Sequence, residues 1–577
     1  MKLFLKVWIP IAATLLSALA RADWIEDSDV YAREVLEAQG TFAPEYVSQH
    51  GMTQFDSEVV DLNPEVFERY LAVSSKLQSK LRKSLEGEKN NKVRQDLEIL
   101  LQSLADGDES QILARKHLIP FFNIHKRLFR SFNALLDPRN ENARYPNALV
   151  RLKKYVGAEQ GFSPITELAV ARTQERFEVE GLVGPYRGEL ETELENAEQY
   201  VVGIRSVFER SELEGWQDNF ALLESQLAEY KTWLREVLLP RTRPENQLPI
   251  AIYADNLKNY GVRATPEELI KDALFNYQFI RSEMKALAWQ IAQDRGWDDK
   301  SLVSVLRELK KEQIPQGKIL QVYQQRLATI EAIIRREDLI SLPERDANIR
   351  LATAAESAAT PAPFMSPPQL INNTGQFGEF VLVQSNPAAT GDAVMDDWSH
   401  YAITWALAVH EARPGHELQF ASLVENGTSL ARAIFARNSA NSEGWGLYAE
   451  SIMHEFMPPE AQLFNLYTRL MRAARMFMDP MVNTGKMTHG QAIRFMTEQL
   501  ALSPAMAGSE ADRYAFWAPG QATSYFYGYM NLMRLRTELE IALGDQFDQR
   551  QFHDTVLKQG ILPPDLLREA VLNEFIK

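Results

Sequence analysis

The sequence predicts a mainly α-helical protein, and three observations carry that reading. Leu223, Leu227, Tyr230, Leu234 and Val237 fall at i, i+4, i+7, i+11 and i+14, an apolar stripe of helical period. Thr265-Pro266-Glu267-Glu268 is a capping box with proline at the first helical position, and Ile270, Leu274 and Tyr277 follow on one face. Most of residues 28–359 reads as long helices separated by short polar breaks, and one convincing strand is expected at about 378–384.

Taken in chain order, residues 1–22 carry Lys2 and Lys6, an apolar run from 7 to 16, and the small residues Ala18, Ala20 and Ala22. That is the pattern of a secretory signal peptide, with Ala20-Arg21-Ala22 as the cleavage site. The apolar run is shorter than a bilayer span requires. With no cysteine in the sequence, lipid anchoring, disulfides and thiolate ligands are excluded. The expected mature chain begins near Asp23, is soluble, and is periplasmic or secreted, with no stable membrane anchor once the signal is cleaved. A chain of this length buries enough core to dispense with disulfides outside the cytoplasm.

The net charge is −16, and without Lys2, Lys6 and Arg21 it becomes −19. Such a balance argues against a phosphate backbone, so nucleic acid is not an expected partner. The basic stretch at 76–94 is interleaved with Glu86 and Glu88 and reads as a solvated helix face. Residues 239–244 read as a loop between helical segments. Composition changes at Thr360-Pro361-Ala362-Pro363, with Pro367-Pro368 just beyond, and this is the best boundary in the chain. The expected organisation is a signal peptide at 1–22, an N-terminal helical region at 23–360, and a C-terminal helical metal-binding catalytic region at 361–577.

The strand at 378–384 contains Phe380, Val381, Leu382 and Val383. Two roles are open for it: a sheet edge that takes a substrate's backbone, or a plain structural hairpin. The helical pattern resumes at Asp397. His400 lies nearly opposite His410 on that helix and is left out of the site, as is His454-Glu455, which no second histidine follows.

Chemistry concentrates in His410-Glu411-Ala412-Arg413-Pro414-Gly415-His416-Glu417-Leu418-Gln419, followed by Glu443-Gly444-Trp445-Gly446-Leu447-Tyr448-Ala449-Glu450. Two histidines around a glutamate suggest a metal site, by comparison with His-Glu-x-x-His, in which i and i+4 share one helical face. Here the separation is six, which on an unbroken helix leaves the second histidine about 120° from the first. Pro414-Gly415 is expected to break the helix and swing His416 back towards His410. The other reading of Pro-Gly is a simple helix stop. Either Glu411 or Glu417 adjoins a histidine and could act as a base. His, Asp and Glu are the ligand types available, a set that suits zinc without excluding other divalent ions.

The pattern His-Glu-x-x-Pro-Gly-His-x-x-Gln with Glu-Gly-Trp-x-x-Tyr-x-Glu resembles the bacterial domain-of-unknown-function family 885. The detailed match runs from about 265 to 536, and the earlier part agrees in being helical. That family is regarded as related to zinc metallopeptidases of the gluzincin kind. The resemblance implies an elongated, helical, zincin-like fold with its site in a cleft between helical halves. It implies His410, His416 and Glu443 as ligands of one zinc ion per chain, and Glu411 rather than Glu417 as the base. The later segment Pro519-Gly520-Gln521-Ala522, with Tyr525, also matches, making Tyr525 a candidate donor to the oxyanion. Where much of the family has Asp-x-Gly-x-His, this chain has Asp479-Pro480-Met481-Val482-Asn483, so any role of that histidine does not transfer.

Glu443 and Glu450 lie seven residues apart on one expected helix, sharing a face about 10 Å apart along the axis. One ion does not reach both. In the related peptidases the ligating glutamate follows the second histidine by about two dozen residues, which favours Glu443 and leaves Glu450 to support a ligand histidine. Arg513, Arg534 and Arg536 are candidates for binding a substrate carboxylate. The expected function is an exported zinc metallopeptidase acting on short peptides, in the manner of a carboxypeptidase or dipeptidase. The alternatives are a metal-dependent hydrolase of another small amide, and a helical binding protein with a structural metal.

Overall fold

The structure is a computed structural model that describes residues 8–353, 356–357, 360, 362–383, 391, 394–436 and 438–576, with side chains described from Trp24 onward. The first seven residues of the expected signal peptide lie outside it, as do Gln384 and Pro361. The backbone is helical from Trp8 to Gly40. Among the described residues no helix is long and apolar enough to cross a membrane.

The fold is mainly α, as expected, with one small three-stranded sheet. Strands β1 (Asn348–Leu351), β2 (Phe364–Ser366) and β3 (Glu379–Leu382) take the order β1-β3-β2. β1 runs parallel to β3, with Ile349 opposite Phe380, and β2 runs antiparallel, with Met365 opposite Phe380. β3 is therefore the strand expected near 378–384, and it is paired on both sides. It cannot offer an edge to a substrate; β2 is the edge that borders the main cavity, through Phe364 and Met365.

The capping box forms as read. Thr265 Oγ1 accepts the Glu268 N–H at 3.3 Å while the Thr265 N–H donates to Glu268 Oε2 at 2.8 Å, opening helix Pro266–Arg295. Its buried face is Leu269, Ala273, Tyr277, Ile280 and Met284, so the expected stripe holds at Tyr277 and fails at Leu274, which is 44 % exposed. The large side chain at 274 misled the reading, and the small Ala273 is what faces the core. The stripe at 223–234 is buried throughout, but its continuation is Leu238 rather than Val237. The backbone widens to a π-helix at Leu234–Leu238, which shifts the phase of the last turn. Along 76–94 the charges sit outside, Lys80 pairing with Glu34, while Leu77 and Leu81 face inward.

Among the described residues, two large apolar cores and a small cluster of Phe420, Leu423 and Ile561 result. The smaller core joins Val60 and Leu62 to helices between Ile124 and Leu238, with Phe132, Tyr155, Phe208 and Phe220 at its centre. The larger runs from Trp24 to Val571 and includes Tyr277, Tyr323, Trp445, Phe477 and Phe526. The compositional boundary at 360 passes through this larger core, because helices Pro266–Arg295 and Pro459–Asn483 pack together across it. Tyr277 meets Phe477 edge-on at 5.6 Å between ring centres. A cavity of about 520 Å³ is lined both by Lys126 and Arg130, from a helix of the smaller core, and by His410, Glu411 and His416, beside the larger one.

Candidate metal centre

The helical ladder breaks at the Pro-Gly step, as the spacing of the histidines requires. A π-turn, Ala408–Ala412, carries His410 and Glu411, and a new α-helix begins at His416 and runs to Ala421. Gly415 makes this possible. A β-carbon there would sit 2.0 Å from the His410 carbonyl oxygen and 2.3 Å from that of Val409, so only glycine lets the chain fold back so tightly. The His410 and His416 rings end 4.8 Å apart, nearly perpendicular.

The Glu-Gly-Trp segment belongs to helix Ser439–Met453 and holds this turn from behind. Trp445 Nε1 donates to the Pro414 carbonyl at 2.9 Å, and Gln419 donates to Asn441 at 3.0 Å. Gly446 faces His410, where a β-carbon would meet the imidazole at 2.6–2.9 Å. Gly444 faces the other way, against the backbone of Gly528 in helix Ser524–Leu543, where a β-carbon would lie 2.6 Å from the Gly528 carbonyl carbon. The two glycines that looked costly in a helix are where two close approaches occur.

Glu443 meets both histidines: its Oε2 lies 3.5 Å from His410 Nε2 and 3.4 Å from His416 Nε2. One ligand atom from each of these three residues lies within 4.8 Å of the others. Donors bound at ~2.0–2.1 Å to one tetrahedral ion sit about 3.4 Å from each other. The Glu443 separations already match that spacing, and a small inward shift of the imidazoles lets the three residues close on a divalent cation. The electrostatics agree. Burial works against charge on Glu443, yet the two imidazoles hold its pKa well below the usual range. Burial likewise disfavours a charged His410, but hydrogen bonds to Glu443 and Glu450 push its pKa up to about 9. An environment that draws a proton so strongly favours a metal cation for the same reason.

Glu450 stands on the far side of His410, its Oε1 2.7 Å from Nδ1. Its second oxygen takes the Thr468 hydroxyl, and Asn465 donates to its carbonyl at 3.0 Å. His416 lacks this kind of support: its Nδ1 is buried with no hydrogen-bond partner among the described residues. Glu411 lines the cavity beside the cluster, and burial raises its affinity for a proton against the pull of both histidines. Glu417 is elsewhere. It is fully buried and paired with Arg413 at 2.8 Å and Arg345 at 2.7 Å, which leaves it no part in the cluster.

Tyr525 lines the cavity with its ring 6.4 Å from that of His410, and its hydroxyl accepts from Arg513 Nη2 at 2.8 Å. Burial raises its pKa, so it keeps its proton. Arg513 also pairs with Glu510 at 3.3 Å. Arg536 is committed to Glu540 and to the Tyr448 hydroxyl, and Arg534 borders a separate pocket. Asp479 accepts from the Gly520 N–H at 2.9 and 3.0 Å and from the Tyr253 hydroxyl at 3.0 Å. Asn483, where the family pattern has histidine, donates to Asp479 and to the Tyr514 carbonyl, each at 3.0 Å, and so braces the 519–521 turn. His400 is buried against Phe464, 4.3 Å between ring centres, and His454 bonds Asn465; neither joins the cluster.

The sequence reading missed Lys126, Arg130, Arg472, Arg475 and Glu510, all of which line the cavity. A signal existed for two of them: Arg472 and Arg475 stand three apart in the apolar run of helix Pro459–Asn483, where a buried charge requires a partner. The pair Lys126 and Arg130 left none.

A mainly helical protein with two histidines and a glutamate converging at an internal cavity is thus what the chain encodes. It belongs to the family described as "Bacterial protein of unknown function (DUF885)", which it matches over residues 44–571. Two solved structures share the fold. A candidate lipoprotein from Colwellia psychrerythraea superposes with a TM-score of 0.76 at 17% identity, covering 96% of this chain and 99% of that one. A candidate lipoprotein of unknown function from Shewanella oneidensis gives 0.69 at 17% identity, covering 95% and 99%. No curated protein matches the sequence.

Proposed function

We propose that this protein is a zinc-dependent peptidase of short peptides, holding one divalent ion through His410, His416 and Glu443. The observation that carries the reading is the meeting of these three side chains beside Glu411, a glutamate that lines the cavity. A divalent cation held there polarises a carbonyl group and acidifies water.

The chain's own groups supply the rest. Glu411, whose buried carboxylate binds a proton more readily than an exposed one, takes a proton from water and passes it to the departing amine. Water thereby gives its hydroxyl to the acyl carbon and its hydrogen to the nitrogen. Tyr525, kept protonated by burial, donates to the oxygen on which charge develops, and Arg513 fixes the direction of its hydroxyl. Glu450 holds His410 in the tautomer that turns Nε2 towards Glu443. A cavity of about 520 Å³ suits a few residues of peptide better than a folded protein. The edge strand β2 alongside it supports binding of an extended backbone.

An exported address, periplasmic or secreted, is supported by the basic and apolar pattern of residues 1–22 and by two neighbours in fold described as candidate lipoproteins. The test of function is hydrolysis of a peptide library by the purified protein with and without chelator. Chelator-sensitive cleavage of short peptides is the expected result. Cleavage of only non-peptide amides would redirect the substrate class, and no hydrolysis by metal-loaded protein would leave a binding role.

A further inference from the structure

Five basic side chains line the cavity, Lys126, Arg130, Arg472, Arg475 and Arg513, against three carboxylates, Glu411, Glu443 and Glu510. This local excess of positive charge runs against the −16 of the whole chain. Glu510 is fully used: Arg475 binds both its oxygens at 2.6 and 2.8 Å, and Arg513 adds a contact at 3.3 Å. Glu443 faces the histidines. Lys126, Arg130 and Arg472 are left with no carboxylate within 4.0 Å among the described residues.

Arg472 is the sharpest case. It is 5 % exposed, its Nε has no partner, and its one hydrogen bond is a long contact of 3.4 Å from Nη1 to the Thr468 carbonyl. A buried guanidinium with no carboxylate in direct contact is costly, and the ring of Tyr525 at 5.8 Å compensates little of that. Also on the cavity lining, Lys126 and Arg130 stand one turn apart on helix Ile124–Leu135, where like charges repel. Burial lowers the pKa of both, and Arg130 adds to the effect on Lys126. Lys126 rests over the Trp517 ring at 5.3 Å, which holds its ammonium at the cavity lining.

We propose that the cavity recognises a free carboxylate on its substrate, bound directly by Arg472 and drawn in by Lys126 and Arg130, so that cleavage falls at the C-terminal end of short peptides. The proposal rests on the peptidase reading for its substrate class. A peptide C-terminus is the anion such substrates always carry, and guanidinium matches it with two parallel hydrogen bonds. The other cations of the lining raise the local concentration of anions, an effect that weakens with salt.

The experiment compares tripeptides ending in a free carboxylate with the same tripeptides as C-terminal amides. The wild-type protein should prefer the acid by about 10- to 100-fold in kcat/KM, the usual worth of a charge-assisted hydrogen bond. Arg472→Met should bring the ratio close to one, mainly through KM. Arg130→Met, which keeps the apolar stem and removes only the charge, should lower the ratio several-fold and reduce its salt dependence. Equal losses on acid and amide would overturn the assignment, giving Arg472 a structural or transition-state role instead. Calorimetric titration of the Glu411→Gln protein with the same peptides separates the two claims. Acid-selective binding without turnover by wild type would sink the peptidase reading while leaving the carboxylate site intact. Equal binding of acid and amide, or none, would remove the carboxylate site.

Discussion

Glu450 lies 2.7 Å from Nδ1 of His410, on the side of the ring opposite Glu443. Burial opposes its charge, but the bond to His410 and the field of Arg472 keep its pKa below the usual carboxylate range. Two glutamates on one helix thus divide the work: Glu443 faces the ion site and Glu450 orients a histidine. Glu450→Gln should weaken metal binding by about 10- to 100-fold, and Glu443→Gln by considerably more. Chelator competition at one pH ranks them, and the reverse order would exchange their roles.

Gly446 and Gly444 provide a second test, because they touch different partners. Gly446→Ala pushes a methyl group into the His410 ring and should lower metal affinity together with stability. Gly444→Ala pushes against the Gly528 backbone and should separate two helices, costing about 1–3 kcal/mol whether or not metal is present. Thermal melts with and without zinc distinguish them. If Gly446→Ala binds zinc normally, the contact with His410 does not set the ligand's position.

Glu411→Gln should retain metal and fold while losing ~10²–10⁴-fold in turnover, since the glutamine is nearly isosteric and cannot accept the proton. Zinc analysis and peptide hydrolysis on the same sample check it. Loss of zinc would make Glu411 a ligand. Near-normal turnover would move the base elsewhere, although Glu417, locked between Arg413 and Arg345, is not available for it.

The metal motif was legible because its chemistry is local: two histidines, a break between them and a glutamate helix soon after. The position of Glu417 was not, since its partner Arg345 is 72 residues away and nothing in the spacing announces it. Helix Pro266–Arg295 was legible from its cap, while its buried face was misjudged at Leu274 because size was read as burial. The strand at 379–382 was found, but not its neighbours. Each has only three or four residues, too few for a period to stand out, and β3 gained its central place through pairing with segments before and after it. The division of cores was hidden for a similar reason. Lys126 and Arg130 join His410 and His416 on one cavity through tertiary packing alone, so the cationic lining could not be read from the chain.

His400 gives a prediction for acid stability. Burial, with Lys310 nearby, pushes its pKa down to about 3, against 6.5 for an unperturbed histidine. The unfolded chain therefore takes up a proton between these values that the folded protein does not. The contribution is fully present above pH 6.5 and is lost as pH falls towards 3, with a slope of about 1.4 kcal/mol per pH unit. His400→Phe, which suits the contact with Phe464, should flatten denaturant stability across that window. An unchanged slope would mean that His400 is protonated in the folded state.

The central claim is that His410, His416 and Glu443 hold one divalent ion. Its most direct test is elemental analysis of the purified protein alongside His410→Ala and His416→Ala, each confirmed as folded by circular dichroism. About one zinc per chain is expected in the wild type and loss of it in both variants, with His410, which Glu450 braces, the more damaging site. A wild-type protein that binds no divalent metal, or variants that retain it in full, would contradict the account.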